Sequence, residues 1–230
     1  SPPLPPADAY NGPMAHLQDR FPNLHVINHP LIVDKLSRAR DISTTSPAFR
    51  RLVHEIAGLM TPAATADLTL DTKTITTPLE SMDGEVLSSP LTLVPILRAG
   101  LGMVEGVASL LPEARIGHLG MYRDEEALEP VAYYSKIPES ASKGTVLLTD
   151  PMVATGGSAV HATTELKSKG CVDIRLMCLV AAPPGVEAMM EHHPDVPVFA
   201  AALDRELNEK GYILPGLGDA GDRIFGTFES

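Results

Sequence analysis

The sequence predicts an α/β fold, a parallel β-sheet flanked by helices, and three observations carry that expectation. Continuous apolar runs recur at residues 91–97, 145–149 and 174–182, segments with apolar residues at three- and four-residue spacing separate them, and glycine clusters in the loops that follow two of the runs. Strands buried on both faces and joined by helices pair in parallel. Ligands in such sheets bind beyond the carboxyl ends of the strands, where the winding reverses. The loops after the strands are therefore where chemistry is expected.

Composition sets the frame. The chain has 230 residues, 44% hydrophobic and 20% charged, enough for one large domain with no need of disulfide staples. Disorder and a collagen repeat are excluded by hydrophobicity and by the clustered glycines. The longest apolar run, 176–182, is broken at once by Pro183 and Pro184, well short of the roughly 20 residues a membrane helix needs. A net charge of −11 argues against a nucleic-acid partner, whose phosphates call for a concentrated basic face. Cys171 and Cys178, seven residues apart along one apparent strand, lie about 23 Å from each other and cannot pair. Free thiols without an export pattern indicate a cytoplasmic protein. The proline-rich start, residues 1–27, reads as a flexible leader, and 28–230 as a single domain.

In chain order, Leu31, Val33 and Leu36 begin a helical pattern after Pro30. A stronger helix covers 47–60, with Phe49, Leu52, Val53, Ile56, Leu59 and Met60 on one face and Thr61-Pro62 at its end. Residues 68–79 alternate with threonine and read as extended structure outside the core. After the 91–97 run and a glycine turn, 103–111 returns to helical spacing. Residues 116–122 and 131–137 read as strands, the second as an antiparallel arm. Past 145–149, a helix over 159–169 ends at Gly170. The run at 174–182, a short helix at 186–192 and a strand at 196–201 complete the set.

Three loops carry the chemistry. In the first, a strand ends in Asp150, and Pro151, Met152, Val153, Ala154, Thr155, Gly156, Gly157 and Ser158 lead into a helix. Glycines let an anion approach the backbone, amides at a helix start point outward, and two hydroxyls add donors, which suits a phosphate monoester. Asp150 would accept hydrogen bonds from ribose hydroxyls on that phosphate. The bland alternative is a plain strand-to-helix turn with Ser158 as N-cap. A P-loop is excluded, since no lysine follows the glycines until Lys167.

The second loop, 94–103, places Arg98 ahead of Gly100, Gly102 and Gly106, a weak imitation of a dinucleotide fingerprint with the wrong spacing. An arginine there suits a diphosphate, which it can grip with paired N–H groups. The third stretch, 211–226, holds five glycines in sixteen residues. Such a loop exposes backbone groups able to read the edge of a planar base; a packed terminal turn is the alternative. Asp219 and Asp222 lack the other ligands of a calcium loop. The eight histidines, including His192 and His193, show no metal spacing and read as surface or cap residues.

Together the three loops, with Met121-Tyr122-Arg123-Asp124, Leu128-Glu129-Pro130 and Val180-Ala181-Ala182-Pro183, resemble the uracil phosphoribosyltransferases of the type I phosphoribosyltransferase family. The resemblance implies a type I phosphoribosyltransferase-like sheet with a C-terminal base-binding hood and an extended β-arm. It implies a pentosyltransferase of pyrimidine salvage that turns uracil and 5-phosphoribosyl 1-diphosphate (PRPP) into UMP and diphosphate. Asp150 and residues 151–158 would hold the ribose and 5′-phosphate of PRPP. Arg98 and Arg123 would hold its diphosphate. Ile213, Gly218, Asp219 and Ala220 would hold uracil, with Asp219 also near PRPP; Asp219, Arg98, Arg123 and Asp150 form the expected catalytic set. Mg²⁺ is the implied cofactor, carried mainly by PRPP, because Pro151 stands where many relatives have a second acid.

Further expected features are a homodimer or higher homo-oligomer, a GTP effector, and a lid around Glu125-Glu126. Pro62 and Ala63 replace the Tyr and Glu usual in relatives, a departure that bears on subunit contacts and on nucleotide activation. A regulator of the same fold that binds UMP and RNA is the alternative, opposed by the acidic charge. A purine-specific enzyme is opposed by the C-terminal loop.

Overall fold

The computed structural model describes residues 20–123 and 130–227. Strand β1 (Leu24–Val26) precedes helices α1 (Pro30–Arg40) and α2 (Ser46–Ala64) and the hairpin β2 (Leu70–Thr76) and β3 (Ser81–Leu87). Then come β4 (Leu91–Leu97), α3 (Leu101–Ala108), β5 (Arg115–Ile116), β6 (His118–Arg123) and β7 (Pro130–Lys136). The second half holds β8 (Thr145–Thr149), β9 (Met152–Val153), α4 (Gly157–Ser168), β10 (Asp173–Ala181) and α5 (Pro183–His192). Strands β11 (Val198–Leu203), β12 (Glu206–Leu207) and β13 (Ile213–Leu214) and helix α6 (Ala220–Phe225) complete it.

The main sheet runs β1-β11-β10-β8-β4-β6-β7, with short β5 on β4 and β9 on β10. Every pairing in it is parallel except β6 with β7. From β4 the chain moves outward to β6 and β7, then returns to β8 on the other side of β4 and proceeds to β10 and β11. The winding therefore reverses between β4 and β8, which pair in register from Leu91 with Thr145 to Pro95 with Thr149. In sheets of this kind ligands bind at such a point, beyond the strands' carboxyl ends.

Alternate residues along the strands feed two cores, as the pleat requires. Leu93, Leu147, Met177 and Leu179 face α1, α2, α3 and α6. Val94, Val146, Leu148, Leu176 and Cys178 face α4 and α5. Both cysteines are buried and free.

Several expectations are corrected. Residues 20–27 belong to the domain and not to a leader: Phe21 and Leu24 are buried and β1 pairs with β11. Residues 1–19 lie outside the described part. In α1 the buried face is Ile32, Leu36 and Ala39, while Leu31 and Val33 are exposed. Helix α2 runs through Pro62 to Ala64; a proline this near a C-terminus removes one N–H, and the Thr61 and Thr65 hydroxyls bond back to the Ala57 and Thr61 carbonyls. The threonine-rich stretch is the first half of a hairpin whose return strand, β3, has a mixed sequence with no clear alternation. The antiparallel arm at β7 is the edge of the main sheet.

Candidate functional site

Beyond β8, the chain forms a cavity of about 110 Å³ lined by Asp150 and residues 152–159. The loop is stitched to the end of β10: Leu179 and Val180 N–H groups donate to the Pro151 carbonyl at 3.0 and 3.1 Å, and Ala182 N–H to the Val153 carbonyl at 2.9 Å. Gly156 is the N-cap of α4 with φ +82°, so no side chain caps that helix, and Ser158 sits inside its first turn. That conformation suits glycine. A Cβ on Gly156 would also lie 2.8 Å from the Gly185 carbonyl oxygen and 2.9 Å from Ala188 Cβ. Gly185 itself, at the start of α5, approaches the Val153 and Ala154 carbonyls so closely that its own Cβ would sit 2.6 Å from each. The two glycines let α5 press beneath the loop. Gly185 escaped the sequence reading because nothing near Pro183-Pro184 signals a contact thirty residues back.

Asp150 lines the cavity and is half-buried. Burial pushes its carboxyl up to about 7, opposed by a hydrogen bond from the Met152 N–H. Neighbouring Cys178 is pushed up by burial and by the Asp150 carboxylate, so it behaves as an inert core thiol. His193, expected as a surface or cap residue, is the C-cap of α5 and is buried, with Nε2 3.0 Å from the Val160 carbonyl and 3.1 Å from Thr164 Oγ1, and burial lowers its pKa. It joins α4 to α5.

The loop after β4 turns back on its neighbour. Gly100 packs where a Cβ would be 2.3 Å from the Thr149 carbonyl oxygen, Gly102 where it would be 2.8 Å from Ile224 Cδ1, and Gly106 where it would be 2.0 Å from the His54 carbonyl oxygen. The three glycines of the imitated fingerprint thus serve close packing against β8, α6 and α2. They leave Arg98 exposed, its Nη2 3.7 Å from Asp222 Oδ1 and its guanidinium carbon 5.7 Å from the Phe225 ring centre. An exposed pair of this kind is worth about 0–1 kcal/mol, so the side chain is free to turn to a stronger anion. Arg123 ends β6 at the same carboxyl end of the sheet, three residues past Gly120, which pairs with Leu97. Residues 124–129, including Asp124, Leu128, Glu129 and the expected lid at Glu125-Glu126, lie outside the described residues.

The glycine-rich C-terminal stretch is more regular than expected, with β13 and α6 inside it. Asp219 is the N-cap of α6, its Oδ1 accepting the Asp222 N–H at 2.9 Å. Ile213 and Ala220 bury their side chains, 4% and 1% exposed, whereas Gly218 (φ +70°) and Asp219 stand at the surface. Three arginines hold the stretch. Arg50 donates to the Ile224 carbonyl and Arg223 to those of Leu217 and Asp41. Arg40 forms a paired salt bridge with buried Asp204, and both reach Gly216. None of these partners was legible from spacing.

The structure therefore brings the second and third loops into contact through Arg98 and Asp222, and sets the first on the adjoining strand, where Thr149 Oγ1 donates to the Gly100 carbonyl at 3.3 Å. A larger cavity of about 360 Å³ lies at the opposite end of the sheet, near Asp67, Asp173 and Arg175. Its buried cation, Arg175, is spent on Asp173, Asp67 and the Ala64 carbonyl. No helix among the described residues is long and apolar enough to cross a membrane.

Residues 26–227 match the family profile described as uracil phosphoribosyltransferase. Curated uracil phosphoribosyltransferases of Bacillus pumilus and Macrococcus caseolyticus are 53% and 54% identical over 205 residues, covering 89% of this chain and 98% of theirs. The solved structure of an Aquifex aeolicus protein superposes with a TM-score of 0.85 at 35% identity, over 90% of this chain and all of that one. With that profile and those relatives covering nearly the whole of their own length, the chain belongs to the uracil phosphoribosyltransferase family.

Proposed function

We propose that the three loops carry the transfer of a 5-phosphoribosyl group from PRPP to uracil, giving UMP and diphosphate, the reaction that salvages a free pyrimidine. The single observation that supports this reading best is the cavity at residues 150–159, placed across the sheet's switch point from Arg98 and the C-terminal loop. In the proposed arrangement the backbone from Pro151 to Ser158, with the Thr155 and Ser158 hydroxyls, takes the 5′-phosphate. Asp150 accepts from the ribose hydroxyls. Arg98 and Arg123 grip the diphosphate. Ile213, Gly218, Asp219 and Ala220 present uracil, chiefly through backbone, since Ile213 and Ala220 bury their side chains and Gly218 has none.

Chemically, the bond from C1′ to the diphosphate oxygen breaks with its electron pair leaving on diphosphate, while the uracil N1–C1′ bond forms and the N1 proton departs. Positive charge grows on the sugar and negative charge on the leaving group, so cations fixed beside the latter lower the barrier. Holding N1 in line with C1′ supplies the rest. Asp219 is the candidate acceptor for the N1 proton.

Mg²⁺ fits as an ion that the substrate carries. Asp150 is the carboxylate that lines the cavity at residues 150–159. When bound, the ion neutralises diphosphate charge; Asp150 is the residue that would touch it or its ribose ligands.

The proposed assembly is a homodimer or a higher homo-oligomer. Hairpin β2–β3 exposes Leu70, Ile75, Met82, Val86 and Leu87, and a lone two-stranded hairpin is marginal in water without a face to pack on. A reducing cytoplasm suits the two free thiols, a single domain suits the chain from residue 20 onward, and GTP is the effector to be tried. The deciding experiment is a spectroscopic assay with PRPP, Mg²⁺ and uracil, cytosine or hypoxanthine in turn, with and without GTP. Uracil alone should be consumed; failure to consume it would overturn the reading.

A further inference from the structure

Arg40 and Asp204 stand outside the three loops, yet they hold the third one by its backbone. Arg40 closes α1; Asp204 follows β11, and its own N–H donates to the Ala181 carbonyl at 2.8 Å, which ties it to the end of β10. Both guanidinium nitrogens of Arg40 donate to the Asp204 carboxylate at 2.7 Å. Asp204 Oδ2 also accepts the Gly216 N–H at 2.8 Å, and Arg40 Nη1 donates to the Gly216 carbonyl at 2.8 Å. The pair thus grips both backbone groups of one residue and fixes the peptide planes on either side of it. Gly216 has φ +65°, and a Cβ there would lie 2.1 Å from the Ile213 carbonyl oxygen. From the next residue, the Leu217 carbonyl accepts from Arg223, whose other nitrogen donates to the carbonyl of Asp41, the cap of α1. Two residues beyond Gly216 stands Gly218.

Stability alone does not call for this device. With its side chain 6% exposed, Asp204 has been taken out of water, and buried ion pairs are often replaced by apolar residues of similar volume without loss of stability. What an apolar pair cannot do is hold a donor and an acceptor of the same glycine at once. Recognition of a flat base by backbone groups depends on placement to within about half an ångström.

We infer that Arg40 and Asp204 are positioning residues that set the base loop in the register that selects uracil. The inference rests on the assignment of residues 213–220 to uracil. Neither residue touches the substrate; each acts through Gly216.

The test uses the full chain with the variants Arg40→Lys, Asp204→Asn and the charge-neutral double variant Arg40→Met with Asp204→Asn, the last guarding against a stranded buried charge. Separate KM values are measured for uracil and PRPP, with kcat/KM for cytosine against uracil and a thermal unfolding curve for each protein. The KM for uracil should rise about tenfold or more, the effect of one misplaced hydrogen bond. The KM for PRPP should move less than about twofold, since the 5′-phosphate and diphosphate loops are held by other contacts. Discrimination against cytosine should narrow, and Arg40→Lys should lie nearer the wild type than the double variant does. Gly218→Ala is the reference for the loop itself. If it raises the uracil KM while the clamp variants, folded by their unfolding curves, do not, or if they raise both KM values together, the positioning role is wrong. If Gly218→Ala also leaves uracil untouched, the assignment of the loop falls and the inference with it.

Discussion

Replacing Asp150 with asparagine removes a charge from the cavity lining while keeping an oxygen that can accept a ribose hydroxyl. The Asp150 carboxyl, raised by burial to about 7, is mostly protonated in the free protein at acidic pH. Hydroxyls donate best to the ionised form, so PRPP binding draws the proton off. At pH 6 about ten protonated molecules accompany each ionised one, and apparent affinity for PRPP should fall about tenfold per pH unit below 7, or about 1.4 kcal/mol per unit. Stability follows the opposite course. A carboxyl raised in the folded state binds more protons there than in the unfolded chain, so its contribution is greatest at low pH and is lost as pH rises from about 4 to about 7. The loss is on the order of 4 kcal/mol for a shift of this size. Asp150→Asn should therefore be the more stable protein at pH 8, and its PRPP affinity should lack the acid-side slope. The assay is calorimetric binding of PRPP with Mg²⁺ between pH 5.5 and 8 on both proteins. Substrate phosphate titration is common to the two and drops out of the comparison. Parallel pH profiles for wild type and variant would refute the reasoning.

The other predictions are more local. Gly156→Ala places a side chain at φ +82° against the Gly185 carbonyl and Ala188; with the left-handed backbone alone costing about 1–2 kcal/mol, the KM for PRPP should rise about tenfold or more, read by initial rates at saturating uracil. Asp219→Asn keeps a side chain able to cap α6, so thermal stability should change by less than about 1 kcal/mol. If Asp219 accepts the N1 proton, kcat should fall by about 10²–10⁴; near-normal turnover excludes that role. Met82→Glu combined with Val86→Lys puts charge on the exposed hairpin strand and should shift the protein toward monomer in sedimentation velocity, whereas an unchanged sedimentation coefficient would move the interface elsewhere.

Much of the architecture was legible because its signals are local. Residues 146–148 and 176–182 are apolar throughout, as strands covered on both faces tend to be, and Gly170 at φ +82° stops α4 where a glycine was expected to. Asp150 followed by Thr155, Gly156, Gly157 and Ser158 shows its chemistry in nine consecutive residues. By contrast, of the expected apolar positions Leu31, Val33 and Leu36 in α1 only Leu36 is buried, since only the neighbours of the folded helix decide that Ile32 points inward. The turn through Pro62 and the second hairpin strand were missed for a related reason: their sequences fit more than one local structure, and the surroundings choose.

By itself, the sequence determined the alternation of strand and helix, the glycine-bearing turn from β8 into α4 and the family, since each depends on residues close together in the chain and on the intrinsic conformations of glycine, proline and apolar runs. Tertiary structure alone decided which loops lie beside one another, that burial would lift Asp150 toward neutrality, and that Arg40 would meet Asp204 and Gly216 across more than 160 residues. Dielectric surroundings and hydrogen-bond partners are properties of position in space, and only the sheet order, with β8 returning beside β4, creates those positions.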